Sequence, residues 1–215
     1  MKPRLLVFAS GGKGTEEGGS GFKCLVEASR SGILRAEIVA VVSNNPAGGV
    51  CTKAFDLGIN FEHSPKGRTA DDYRELVHRY QADYVALSGW LGKVEGLDPR
   101  TTFNIHPALD LVRFGGKGFH GHHVHEAVVE AYRRGEVTHS GVTMHFATPK
   151  YDDPFGIFFQ RKVKILPDDT ADTLGRRVNS LEHLWQALIT DRVVQGQISW
   201  DGEDPRSIVG MDIEL

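Results

Sequence analysis

The sequence predicts an α/β fold, a mainly parallel sheet flanked by helices with antiparallel additions in the C-terminal half. Three observations predict it. Short apolar runs alternate with amphipathic segments through the first half of the chain, the pattern of strand–helix–strand units. The opening run, Leu5-Leu-Val-Phe-Ala9, empties into Ser10-Gly11-Gly12, as a buried parallel strand does where it meets a loop. In the second half the strand-like segments lie closer together, which suits antiparallel pairing.

Leu5 to Ala9 is the first strand, and Phe22 to Ser31 a helix with Leu25, Val26 and Ala28 for packing. Glu37 to Ser43 is β-branched and apolar, a second strand. Ala47 to Leu57 reads as a helix that Gly58 ends in a left-handed conformation. Thr69 to Tyr80 is a helix with Tyr73, Leu76 and Val77 on one face, and with Asp71 and Asp72 in the first turn, where negative charge is favoured. Tyr84 to Ser88 is a third strand, closed by the turn Gly89-Trp90-Leu91-Gly92, and Thr102 to Ile105 a fourth. His122 to Gly135 fits a helix, Gly141 to Ala147 and Gly156 to Val163 are strands, and Thr170 to Gln195 is a long helix opened by Asp168-Asp169-Thr170. One domain over residues 1–215 is expected, with a phosphate-binding half at 1–100 and a catalytic half at 101–200.

Composition narrows the function. A net charge of -3 and no basic tract give no reason to expect a nucleic-acid or anionic-membrane partner. Leu5 to Ala9 is far too short to span a membrane, so a cytoplasmic protein is expected. Cys24 and Cys51 fall in no ligand-like spacing and read as thiols in a reducing compartment.

Gly11 to Gly21 reads GGKGTEEGGSG between a strand and a helix. Backbone N–H groups in such a loop can cradle an anion, with the helix dipole behind them. It lacks the Gly-Lys-Ser/Thr of a P-loop, and the second strand ends in Ser43-Asn44-Asn45 rather than the acidic residue of a dinucleotide fold. Glu16 and Glu17 would repel phosphate, so a surface loop that is mobile without ligand is the competing reading.

Phe103-Asn104-Ile105-His106-Pro107 is the most informative stretch. Asn104 and His106 stand two apart on an extended segment and point to one side. An amide and an imidazole converging at the C-terminal end of a strand suit the oxyanion of an acyl transfer. Further along, Gly141-Val-Thr-Met-His-Phe-Ala-Thr148 leads into Pro149-Lys-Tyr-Asp-Asp-Pro-Phe-Gly156. An Asp from that loop is expected to order His106, raise its pKa and relay a proton through water.

In this order, NIHP, GVTMHF, Tyr151-Asp152-Asp153, Gln160, Asp169-Thr170, then Leu174, Arg177, Val178 and Glu182-His183 resemble the glycinamide ribonucleotide formyltransferases of the wider formyltransferase family. The resemblance covers nearly the whole chain. It implies a Rossmann-like N-terminal half with an extended sheet, and formyl transfer from 10-formyltetrahydrofolate to the amine of a phosphoribosyl glycinamide, with no metal. It implies that Asn104 and His106 stabilise the tetrahedral oxyanion and that Asp152 or Asp153 assists proton transfer. Trp90, Leu91, Gly92 and Val94 would cradle the pteridine, with Ala147 and Tyr151 opposite. Gly11, Gly12, Gly19, Ser20 and Gly21 would hold the ribonucleotide phosphate and Glu182 its ribose, with Ile105 and Pro107 beside the substrate.

The chain departs from the family pattern in three places. The family's compact Ser-Gly-x-Gly-Ser-Asn loop is longer here, with Gly21 in place of the Asn. Gly92 stands where an Arg is frequent. Asp-x-Gly-Pro becomes Asp152-Asp153-Pro154-Phe155-Gly156. Counting forward from His145 selects Asp152, and counting back from Gln160 selects Asp153. Asp153 is preferred, because loops absorb insertions more readily than strands. Other acceptors (an amino-sugar nucleotide, or water) and a folate-binding relative without turnover are the alternatives, as a monomer or homodimer. His120, His122, His123 and His125 crowd one segment, but no Cys or carboxylate pattern completes a metal site. His122 or His123 is placed near substrate, Arg113 and Lys117 at the solvated surface, and His145 in the core of its strand.

Overall fold

The computed structural model describes the chain apart from Lys13, Thr15, Glu16, Lys66, Gly67, Lys117, Tyr151 and Leu215. Arg4–Phe8 (β1), Ser20–Ser31 (α1), Glu37–Ser43 (β2), Gly49–Asp56 (α2), Phe61–His63 (β3), Ala70–Arg79 (α3), Tyr84–Ser88 (β4) and Thr102–His106 (β5) come first. Leu111–Phe114 (α4), His122–Arg133 (α5), His139–Phe146 (β6), Ile157–Lys164 (β7), Ala171–Val194 (α6) and Asp212–Ile213 (β8) complete it.

All the strands join one sheet in the order β3-β2-β1-β4-β5-β6-β7-β8. The five from β3 to β5 run parallel, β6 is antiparallel to β5 and β7, and β8 runs parallel to β7. The predicted mixed sheet is therefore present, with its parallel part first. Three elements lie outside the sequence reading, β3, α4 and β8. Each is too short to show a period, and Phe61-Glu62-His63 is a polar edge strand.

Alternation along β1 builds both faces. Leu5 and Val7 belong to the larger core with residues of α1, α2, α5 and α6, while Leu6 and Phe8 pack with Tyr73 and Leu76 of α3. Thr69 and Thr170 cap α3 and α6 with reciprocal side-chain bonds. By contrast, α1 opens at Gly19 in a left-handed conformation and has no side-chain cap. The strand order reverses between β1 and β4, and a parallel sheet forms its ligand crevice beyond the carboxyl ends of the strands at such a point. Among the described residues no helix is long and apolar enough to cross a membrane.

Candidate active site

The site grows from the ends of β5 and β6. Asn104 and His145 are directly paired across the antiparallel ladder, so their side chains share a face. The β6–β7 register shifts between Met144 and His145, a bulge of the kind that re-aims side chains beside functional sites. Asn104 donates from Nδ2 to His145 Nε2 at 3.1 Å and to Asp152 Oδ1 at 3.1 Å. His145 then carries its proton on Nδ1, which donates to Phe146 O at 3.1 Å. His106 donates from Nε2 to Phe114 O at 2.7 Å, which leaves its Nδ1 facing Asp152 Oδ2 at 3.6 Å.

Asp152 is the hub. Its side chain is 10% exposed, and Oδ2 accepts the Gly116 N–H at 2.7 Å. Its backbone is left-handed, φ 42°, an unusual conformation for a residue with a Cβ and one that Asp tolerates better than most. Burial pushes its carboxyl up, but the neighbouring His145 and His106 imidazoles and the Gly116 N–H together outweigh it and hold the pKa at about 2. For His106 the balance runs the other way. Burial lowers its pKa below the ordinary imidazole value despite the neighbouring Asp152 and the Phe114 carbonyl. The expectation that the Asp raises the histidine pKa is thus corrected: the carboxylate does pull upward, and desolvation prevails.

Of the two loop carboxylates, Asp152 and not the preferred Asp153 meets Asn104 and the imidazoles. Asp153 is buried but turned away from Asn104, accepting Thr148 Oγ1 at 2.8 Å and Phe155 N at 3.1 Å. Counting back from Gln160 passes through the β7 bulge at Phe158 and the 3-10 turn Pro154–Gly156, which shift the count. His145, expected in the strand core, is buried there at 2% exposure and is also bonded into the polar cluster. The signal that finds it is the parity of antiparallel neighbours, available once β5 and β6 are known to pair.

A cavity of about 320 Å³ opens beside these groups. Asn104, Ile105, His106, Pro107, His145 and Asp152 line it together with Trp90, Leu91, Gly92, Val94 and Ala147. Gly92 lies flat on the Trp90 indole, where a Cβ would come within 2.7 Å of Nε1. Tyr151, expected opposite the pteridine segment, lies outside the described residues. Glu182 of α6 reaches the same cavity, half-buried, its carboxyl pushed up to about 7 by burial.

Gly11, Gly12, Gly19, Ser20 and Gly21 do not line this cavity but adjoin it. Ser10 donates its N–H to Gly89 O at 3.1 Å, and its hydroxyl accepts the Leu91 N–H at 2.9 Å. Gly11 bridges Gly18, Asn44 accepts the Gly11 N–H, and Asn45 donates to Gly12 O. At Gly21 a Cβ would lie 2.3 Å from Ser88 Oγ and 2.7 Å from Gln186 Oε1, so a larger residue there requires those two side chains to move. Gln186 stands one helical turn from Glu182, which brings the start of α1 and the cavity to the same face of α6. Lys13, Thr15 and Glu16 of this loop, and Lys117, lie outside the described residues.

The histidine segment splits by burial. His120 lines the cavity, and His122 faces Asp172 at 3.1 Å and Glu126 at 3.3 Å. His123 faces Glu126 at 3.0 Å, and burial pushes the His125 pKa down to about 4. Among the described residues no group of three or more His, Cys, Asp or Glu is arranged to hold a metal ion.

The formyl transferase family profile matches residues 4–191. The chain belongs to the formyl transferase family. This formyl transferase also has named relatives over most of its length. It is 34% identical over 209 residues to the chloroplastic phosphoribosylglycinamide formyltransferase of Vigna unguiculata, covering 93% of this chain and 63% of that protein. It is 32% identical over 210 residues to the protein of the same name from Arabidopsis thaliana, covering 93% and 68%. The chain thus spans less than two thirds of the Vigna relative. A crystal structure of glycinamide ribonucleotide transformylase 1 from Symbiobacterium toebii superimposes with a TM-score of 0.78 at 26% identity, covering 94% of this formyl transferase and 92% of that chain.

Proposed function

We propose that this protein transfers a formyl group from 10-formyltetrahydrofolate to the amine of glycinamide ribonucleotide, a step of de novo purine biosynthesis. The observation that carries the reading is the bonded set Asn104, His145, Asp152 and His106 in the wall of a cavity that Trp90, Leu91, Val94 and Ala147 also line. Trp90, Leu91, Val94 and Ala147 suit the flat ring of a folate, with backbone polar groups of the 89–94 turn at its edge. The plant relatives are named for a phosphoribosylglycinamide acceptor. Gly19, Ser20 and Gly21 at the first turn of α1 supply N–H groups for its phosphate, with Gly11 and Gly12 shaping the loop beside them through N–H bonds to Asn44 and Glu17. Glu182 in its ionised form accepts from ribose hydroxyls.

In the reaction the amine nitrogen bonds to the formyl carbon, and the carbonyl oxygen gains negative charge. An Asn104 N–H, shared in the free protein between His145 and Asp152, supplies one donor to that oxygen. The Phe114 carbonyl fixes His106 Nε2–H, so Nδ1 is the atom free to take or share a proton, and ionised Asp152 stabilises a proton there. The bond from the formyl carbon to the folate nitrogen then breaks, and the amine's proton ends on that nitrogen. Asp152 assists this proton transfer through water.

Monomer or homodimer and a cytoplasmic setting belong to the same proposal. The plant relatives are named chloroplastic, which makes the chloroplast the other compartment to test. The deciding assay measures tetrahydrofolate formed from 10-formyltetrahydrofolate with and without glycinamide ribonucleotide. Acceptor-dependent turnover is expected. Turnover without acceptor, or none with it, would overturn the proposal.

A further inference from the structure

We infer that Asp153 is a positioning residue, one that holds Asp152 in its left-handed conformation by cross-linking the loop around it. The inference rests on the proposed role of Asp152. Asp153 is 7% exposed, and its two oxygens receive two donors from the two sides of the loop. Thr148 Oγ1 donates to Oδ2 at 2.8 Å, and Phe155 N donates to Oδ1 at 3.1 Å, capping the 3-10 turn Pro154–Gly156. Thr148 Oγ1 also accepts the Lys150 N–H at 3.2 Å, so one hydroxyl ties together both strands of the loop.

The far end of the loop is pinned as well. A Cβ on Gly156 would come within 2.5 Å of Phe146 O, so that glycine sits against the backbone of β6. The loop between Phe146 and Gly156 is thus closed at its base and stapled across its middle by Asp153. Asp152 lies inside the staple, with φ 42° and its carboxylate delivered to Gly116 N, Asn104 and the two imidazoles. A non-glycine residue in that region is held against relaxed backbone, although Asp tolerates it better than most. Hydrogen bonds on either side of it are what prevent relaxation.

The test uses the full chain and compares Asp153→Ala, Asp153→Asn, Thr148→Ala and Asp152→Asn. Asp153→Ala is expected to lower kcat on the order of 10-fold to 10²-fold, the effect of misplacing a reacting group by about an ångström, with KM for both substrates within about twofold. Asp153→Asn keeps an oxygen for Phe155 N and a polar partner for Thr148, and is expected to restore most of kcat. Thr148→Ala should act in the same direction, and the double variant Thr148→Ala/Asp153→Ala should be no worse than Asp153→Ala alone. In the unliganded protein, Asp153→Ala should shift the ring NMR signals of His106 and His145 toward their positions in Asp152→Asn. Wild-type kcat and unshifted rings in Asp153→Ala would overturn the inference. So would an Asp153→Asn variant as inactive as Asp152→Asn, since that result would make Asp153 the ionised group itself. If the wild type transfers no formyl group, the functional proposal fails, and the ring signals alone still decide whether Asp153 positions Asp152.

Discussion

Replacing Asp152 with Asn removes a charge and keeps the shape, and the contacts around it set the consequence. Each carboxylate oxygen faces donors: Asn104 Nδ2 on one, the Gly116 N–H on the other. An amide has one oxygen, so its Nδ2 must face a donor on one side or the other. The carboxyl is held at about 2 against an ordinary value of 3.8. That difference corresponds to roughly 2 kcal/mol of folding stability at neutral pH. The group's pKa is depressed in the folded state, so its contribution is complete above the unfolded value and is lost as pH falls from about 3.8 toward about 2. Urea unfolding of the wild type and Asp152→Asn at pH 7 and pH 3 measures this. The wild type should be more stable by ~2 kcal/mol at pH 7, with roughly half of that margin left at pH 3. Turnover of the variant should fall on the order of 10²-fold to 10⁴-fold, the range for a lost proton-transfer group. Equal midpoints at pH 7, or a margin that fails to narrow in acid, would refute the account of Asp152 as the ionised hub.

The remaining predictions bear on the rest of the site and on the frame. Asn104→Ala and His106→Ala should each lower kcat on the order of 10²-fold or more, and near-normal turnover in both would remove them from the mechanism. Glu182, pushed up to about 7 by burial, accepts hydroxyls best when ionised. KM for the ribonucleotide should therefore fall as pH rises through about 7, and Glu182→Gln should show a raised KM without that dependence. Asp169 is held at about 2, chiefly by Arg177, which contacts both its oxygens at 2.6 Å. Asp169→Ala strands that guanidinium and the Leu166 N–H, and should cost about 3 kcal/mol in urea unfolding. Folate affinity should stay unchanged, because Asp169 does not line the cavity.

Much of this site is legible because chemistry and period coincide. Asn104 and His106 share one side by strand parity, and Pro107 comes next in a loop where a parallel sheet opens its crevice. The turn Gly89-Trp90-Leu91-Gly92 is legible only as a turn that closes a strand, and its place beside the pteridine is what the family resemblance implies. The strand pattern implies burial for His145, and burial is present. Its role is not legible, because that depends on β6 pairing with β5 in the register that sets it opposite Asn104. The bond to Asn104 is long-range and leaves no local trace.

By itself the sequence determined the alternation of strands and helices, the reversal toward antiparallel pairing, and the residue types gathered at the strand ends. These are local properties, set by side-chain period, turn chemistry and propensity within a few residues. Only the tertiary structure shows that Asp152 and not Asp153 meets Asn104 and the imidazoles, because their placement turns on one bulge and one 3-10 turn that shift the count without altering composition. Tertiary structure alone also set the direction of the His106 pKa. Sequence neighbours say which charges are near, but how much water is excluded depends on every element packed around the ring, and here that exclusion outweighs the carboxylate.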